Sequence, residues 1–236
     1  MGFPTVESTN SDADNTDATT HSHTLPSSIS AGDLIIGWFV CDGDSGGVTW
    51  PGAGATWVKF FDGSNGTDVS ASAAYLDAAG TETGDITITT VNTERSTCSF
   101  ARVSDAEDPG TQAPEISTGA TGDSANGDPD GVTPTGGAKN YLFIAVIGQD
   151  SNDTIQGVPT NYSNFTAARA STGAAGCAGG MGTRALNATS EDPGAFAIAS
   201  SDQWLANTIA IHPGPPNLKV KGPLGMPFHG PFGGPV

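Results

Sequence analysis

Hydrophobic positions along the chain follow two patterns that are both typical of β-strands. Residues 34–41 and 141–147 are nearly continuous apolar runs, which indicates strands that are covered on both faces. Elsewhere, short segments such as 86–91 alternate apolar and polar residues. No long segment repeats apolar residues at helical spacing, and glycine interrupts the candidates. The pattern predicts strands at 18–25, 33–41, 56–62, 68–77, 85–91, 96–104, 140–148, 162–169, 178–186, 195–200 and 204–212.

An internal repeat organises these strands. Residues 33–42 align with residues 141–150, and the same shift of 108 residues takes Glu94 to Asp202 and Val103 to Ile211. We therefore expect two repeated halves, 24–104 and 138–212, joined by a linker loop at 105–137. The predicted fold is an all-β, antiparallel, jelly-roll-like β-sandwich spanning 18–212, because neither half has enough large apolar side chains to stand alone. The alternative is two small tandem sandwiches.

The two ends of the chain are predicted to be arms. Residues 1–17 form the N-terminal arm, and the Pro- and Gly-rich residues 213–236 form an extended C-terminal arm that cannot enter a helix or a sheet interior. We expect the C-terminal arm to bind a neighbouring subunit. Its expected contact residues are two lysines and four apolar anchors: Lys219, Lys221, Leu224, Met226, Phe228 and Phe232.

The net charge of the chain excludes some classes of binding partner. The 236 residues include 8 Lys and Arg against 25 Asp and Glu, which gives a net charge of −17. This balance argues against nucleic-acid binding and against an anionic membrane surface. No apolar run approaches the roughly 18 residues of a membrane span. Residues 1–20 lack the basic start and the apolar stretch of a secretory signal, so we expect synthesis in a cytoplasm.

Cysteine and histidine positions give little support for an enzyme. Cys41, Cys98 and Cys177 are expected to be buried free thiols, with a disulfide or metal role as the alternative. The four histidines are His21, His23, His212 and His229. None lies between residues 24 and 211, so the predicted sandwich has no internal histidine for a Ser-His-Asp site or a zinc site. We expect His21 and His23 to lie on a solvated edge strand, with metal binding as the alternative.

Acidic residues supply the remaining candidate chemistry. Asp42 and Asp150 lie at matching strand ends, as do Glu94 and Asp202, and such pairs serve either as turn caps or as the two carboxyl groups of a glycosidase. We favour turn caps and expect no catalytic residues.

A calcium loop is the one cofactor site that the sequence suggests. Asn126, Asp128 and Asp130 resemble the start of an oxygen-ligand loop, but Gly137 occupies the position of the usual glutamate. An ordinary acidic turn is the favoured interpretation, and no other cofactor is expected.

Several motifs resemble a known family. Residues 25–36, which run Leu-Pro-Ser-Ser-Ile-Ser-Ala-Gly-Asp-Leu-Ile-Ile, precede an apolar strand, and a Trp-Pro-Gly segment leads to Trp57. Together with residues 204–213, they resemble a β-sandwich domain of tailed-phage and marine viral structural proteins, which also occurs in bacterial surface proteins. The resemblance covers residues 20–213 and implies a structural role without a catalytic motif.

These observations predict a non-enzymatic virion structural protein. We expect a phage head decoration (cement) protein or a tail component. Its partners would be neighbouring copies, as a homo-oligomer, or the major capsid or tail protein. The alternative is a carbohydrate-binding adhesin or receptor-binding protein, which would use exposed aromatic residues such as Trp50, Trp57 or Tyr162.

Overall fold

A computed structural model describes residues 1–52, 56–151, 153–171 and 176–215. Within these ranges the regular structure is entirely β, in fifteen strands. The strands are β1 (Thr5–Thr24), β2 (Leu34–Asp42), β3 (Val48–Thr49), β4 (Val58–Asn65), β5 (Val69–Asp77), β6 (Asp85–Ser104), β7 (Glu115–Ile116), β8 (Ala120–Gly122), β9 (Asn126–Gly127), β10 (Lys139–Gln149), β11 (Ile155–Gly157), β12 (Ser163–Ser171), β13 (Gly176–Ala188), β14 (Phe196–Ile198) and β15 (Trp204–Ile211).

The strands form three antiparallel sheets. The first has the order β1-β6-β2-β5-β4, with β3 also paired to β6, and the second has the order β12-β13-β10-β15-β7, with β8 also paired to β15. A small third sheet has the order β11-β14-β9. The predicted all-β, antiparallel sandwich class is therefore confirmed.

The two large sheets pack face to face through their central strands. Alternate residues of β2, including Leu34, Ile36 and Trp38, share one apolar cluster with Leu142 and Ile144 of β10. Because side chains alternate between the two faces of a strand, the odd-numbered residues of β2 and β10 point away from this central core. This explains why both strands have continuous apolar sequences: each is buried on both faces.

Each outward face has a second layer over it. In the first half, the C-terminal part of β1 and the N-terminal part of β6 cover β2, and the His21 ring lies 5.4 Å from the Phe39 ring. In the second half, Phe196 of the small third sheet packs in one cluster with Tyr141 and Phe143 of β10. We call each large sheet together with its covering layer a sandwich, and the two sandwiches are in contact through the central core. The division into two repeated halves and the jelly-roll detail are not confirmed.

Corresponding strands occupy corresponding places in the two large sheets. At the offset of 108 residues, β2 matches β10, β6 matches β15, β5 matches β13 and β4 matches β12. The sheet orders β6-β2-β5-β4 and β15-β10-β13-β12 follow this correspondence. This order is what an internal repeat requires, and close superposition of the two halves stays a prediction.

Two predicted boundaries need correction. The proposed N-terminal arm, 1–17, is wrong from Thr5 onward, because these residues begin β1 and pair with β6. The proposed linker loop, 105–137, contains β7, β8 and β9, which pair with β15 and β14. Most of the C-terminal arm, residues 216–236, lies outside the described residues. Its first residues contact the body, since Pro213 forms an isolated bridge with Ala106.

Candidate functional site

The carboxylate pairs noted in the sequence converge at one end of the interface between the sandwiches. β2 ends at Asp42 and β10 ends just before Asp150. The two carboxyl groups are hydrogen-bonded to each other. Glu94 of β6 and Asp202, which precedes β15, face the same pair. We call Asp42, Glu94, Asp150 and Asp202 the carboxylate junction.

Two members of the carboxylate junction, Asp150 and Glu94, have raised pKa values and so favour the protonated form. Burial, the hydrogen bond to Asp42 and the negative charges of Asp42, Asp202 and Asp68 raise the pKa of Asp150 to about 7. Burial and three neighbouring aspartates raise the pKa of Glu94 to about 7 as well. A cation also faces the junction: Arg95 Nη1 lies 3.9 Å from Asp42 Oδ2. Asp150 therefore keeps its proton up to near neutral pH, and its protonated carboxyl group can donate the hydrogen bond to Asp42.

This geometry differs from that of a glycosidase. Glycosidases hold their two carboxyl groups about 5 Å apart or more, so that the sugar or a water fits between them. Asp42 and Asp150 contact each other directly and leave no such space. Two neighbouring carboxylates bind backbone amides: Asp44 accepts a hydrogen bond from Gly46 N, and Asp202 accepts one from Gln203 N. The turn-cap role stays a prediction for Asp42, Glu94 and Asp150.

A second polar cluster is a chain of hydrogen bonds between side chains of β1 and β6. His23 Nδ1 lies 2.6 Å from Asp12 Oδ1, and His23 Nε2 lies 3.0 Å from Ser96 Oγ. Ser96 Oγ lies 2.9 Å from His21 Nδ1, and His21 Nε2 lies 3.0 Å from Thr90 Oγ1. Both histidines are fully buried. β1 is an edge strand of the first sheet, as expected, but the side chains of His21 and His23 are buried rather than solvated, so the sandwich does contain internal histidines.

The order Asp12–His23–Ser96 matches the connectivity of a Ser-His-Asp triad, but its surroundings do not suit catalysis. Ser96 is fully buried, and its hydroxyl is shared between two imidazoles. Burial and the neighbouring charge of His23 lower the pKa of His21 to about 4, so His21 is neutral at pH 7. A nucleophile needs access to substrate, and this hydroxyl has none. The chain instead satisfies polar groups within the first sandwich.

Sequence reasoning missed this cluster because it placed the start of the sandwich at residue 18. Asp12 then belonged to an arm, although it accepts a hydrogen bond from Thr24 N at 2.6 Å and so joins the N-terminal half of β1 to the C-terminal end of the same strand. The available signal was the alternation of His21 and His23 with small polar residues.

A third buried histidine, His212, lies 2.7 Å from Glu115 Oε1.

The calcium prediction gains no support from the structure. Asn126 lies in β9, paired with Ala197, and Asp130 accepts a hydrogen bond from Thr118 Oγ1. Burial and the charges of Asp192 and Asp130 raise the pKa of Asp128. Among the residues that the structure describes, no three His, Cys, Asp or Glu side chains are arranged to hold a metal ion.

The aromatic platform of the adhesin alternative is buried. Trp50 and Trp57 are each 7% exposed and stack with ring centroids 5.0 Å apart, and Tyr162 is 9% exposed. Tyr162 also donates a hydrogen bond to the buried Glu191. These three residues are therefore core residues, which is the other interpretation of their place in the sequence, and they form no exposed sugar-binding surface.

The remaining sequence-based predictions have different outcomes. The three cysteines are free and buried, as predicted. Within the described ranges, no helix is long and apolar enough to cross a membrane. The predicted interface lies outside the described residues, in all six of its members: Lys219, Lys221, Leu224, Met226, Phe228 and Phe232.

Comparison with known proteins found no matching family model, no matching curated protein and no matching solved structure.

Proposed function

We propose that this chain is a non-enzymatic virion structural protein, a head decoration protein or a tail component, that binds neighbouring subunits. The proposal rests on the motif resemblance and on the kind of fold in which those motifs lie. Residues 25–36 lead into the central strand β2, and Trp50 and Trp57 pack in the outer core of the first sandwich. The motifs therefore support a packed, all-β structural unit.

The observation that carries the proposal is the place where the C-terminal segment leaves the body. Gly214 N donates a hydrogen bond to Asp105 O at 2.8 Å, so the chain is held to the body next to the connection between the two sandwiches. The residues that follow carry two lysines, the four apolar side chains proposed as anchors and no acid. The rest of the chain is strongly acidic, which makes a neighbouring copy an electrostatically suitable partner.

In this proposal the segment beyond Pro215 binds a neighbouring subunit in an extended form. Proline lowers the conformational entropy lost on ordering, and an extended chain needs no internal hydrogen bonds. Leu224, Met226, Phe228 and Phe232 are the apolar anchors. Each would contribute roughly 1.5–3 kcal/mol on full burial, before the cost of ordering is subtracted. Lys219 and Lys221 would contact acidic groups of the neighbour.

Truncation tests this proposal. A chain ending at Pro215 keeps the contacts of Pro213 and Gly214 with the body, so its fold should be unchanged. Sedimentation velocity over a range of concentrations should show oligomers for the full chain and monomers for the truncated chain. A second variant separates the apolar anchors from the length and charge of the segment. The full chain with Phe228→Ser and Phe232→Ser keeps the length and the lysines but should also lose association. Equal association of the full and truncated chains would contradict the proposal.

A further inference from the structure

The two sandwiches approach most closely just before the carboxylate junction. Trp38 Nε1 of β2 donates a hydrogen bond to Ile147 O of β10 at 2.9 Å. A Cβ atom at Gly148 would lie 2.8 Å from Val40 Cγ1, so glycine at this position allows the two strands to pack closely. Asp42 and Asp150 each lie two residues further along, on the same faces. Their contact therefore follows from the packing of the two sheets.

The charged and titratable groups around this pair come from every element that packs against it. Most are acids, and Arg95 is a cation whose Nε is buried without a hydrogen-bond partner. The groups are Asp17 of β1, Asp44 after β2, Asp62 of β4, Asp68 before β5, Glu94 and Arg95 of β6, Asp202 before β15, and the thiols of Cys41 and Cys177.

We propose that Asp42 and Asp150 form a proton-controlled latch between the two sandwiches, in which a shared proton holds this end of their interface closed and its loss loosens it. The proton lies between two carboxyl oxygens, one from each sandwich. Once both groups are ionised, two negative charges face each other at an interface that is already acidic. This latch does not depend on the proposed virion function.

The direction of the pH dependence follows from proton linkage. In the closed form Asp150 has a pKa of about 7. In an opened form, separated from Asp42, it returns toward the ordinary value of about 4. Between these two values the closed form binds one more proton, so the opening constant should rise about tenfold per pH unit and level off above pH 7. Burial is the main cause of the raised pKa of Glu94, and the acids that add to it, Asp42, Asp17 and Asp44, belong to its own sandwich, so these charges stay near Glu94 on opening. Any change in the burial of Glu94 is the same in Asp150→Asn.

Cys177 provides a built-in probe of opening. It is fully buried, and its Sγ lies 3.6 Å from both Val40 O and Arg95 O, between the two sheets. Labelling with iodoacetamide, mapped by peptide mass spectrometry, reports how often this thiol becomes accessible. Thiolate formation also depends on pH, so the useful quantity is the wild-type rate divided by the Asp150→Asn rate at the same pH. In that ratio the thiol chemistry cancels.

The latch predicts that this ratio rises about tenfold per pH unit from pH 5 to pH 7 and is level above about pH 7.5. The wild-type rate divided by the Asp42→Asn rate should depend on pH in the same way. This second variant keeps the test available if Asp150→Asn fails to fold. The matched control is Asp77→Asn, an exposed aspartate at the other end of β5, whose labelling should follow the wild type at every pH. A ratio that stays constant from pH 5 to pH 8 would overturn the latch.

Discussion

Ser96 illustrates how single polar residues stabilise this fold. Its hydroxyl lies between two buried imidazoles, those of His21 and His23, and a buried polar atom without a partner is costly. The Ser96 hydroxyl is the hydrogen-bond partner of one ring nitrogen on each imidazole. No local sequence pattern identifies Ser96 as the partner of these histidines, because Ser96 pairs with Asp14 while His21 pairs with Ile88, and the two regions meet only through the tertiary fold.

Replacing Ser96 with alanine should therefore destabilise the protein. Ser96→Ala leaves one nitrogen on each imidazole without a partner, and we expect the free energy of unfolding to fall by about 1–3 kcal/mol. Urea denaturation measures this change. Ser104→Ala in the same strand is the control, because it removes an exposed hydrogen bond to Glu7 and should cost about 0.5 kcal/mol or less. Equal losses in the two variants would contradict the role of the buried chain.

At the scale of elements, periodicity predicted the long apolar strands and missed the polar and short ones. β2 and β10 were predicted to within a residue or two, because burial on both faces gives a continuous apolar sequence. The first part of β1 is rich in Ser, Thr, Asn and Asp, and it is a strand because β6 offers a long edge to pair with. β7, β8 and β9 have two or three residues each, which is too short for any periodicity to be visible.

The close approach of β2 and β10 gives a prediction at this scale. Gly148→Ala would place a Cβ atom 2.8 Å from Val40 Cγ1, and such overpacking should cost about 1–3 kcal/mol. Adding Val40→Ala should recover part of this loss, since it removes the atoms in conflict. Gly157→Ala is the control, because its Cβ atom would meet Ala197 at an ordinary 4.0 Å. Urea denaturation of the single and double variants measures the coupling, and strictly additive losses would contradict the proposed contact.

At the scale of the whole molecule, two features of the structure could not be predicted from the sequence. The offset of 108 residues indicated which strands correspond, and the sheet orders follow it. It did not show that each half closes on its own outer layer, because this depends on the bends in β1 and β6 and on a separate third sheet. Nor did it show that Asp42 and Asp150 would meet, since that depends on how the halves pack.

Global stability should depend on pH in a direction set by three groups. The raised pKa values of Asp150 and Glu94, about 7 each, mean that the unfolded chain releases these protons first, so stability falls as pH rises from about 4 to 7. His21, with a pKa of about 4, acts in the opposite sense between pH 4 and 6.5. The combined effect of Asp150 and Glu94 should exceed the opposite effect of His21, so the urea midpoint should be higher at pH 5 than at pH 7.5. A higher midpoint at pH 7.5 would contradict this balance.

The proposed role as a subunit of a virus particle is tested most directly by mass spectrometry of gradient-purified particles from the source of the chain. The chain should sediment with the particles, at a fixed ratio to the major capsid or tail protein in every fraction across the particle peak. Particles without the chain, or a ratio that varies independently of the particle peak, would contradict the proposed role.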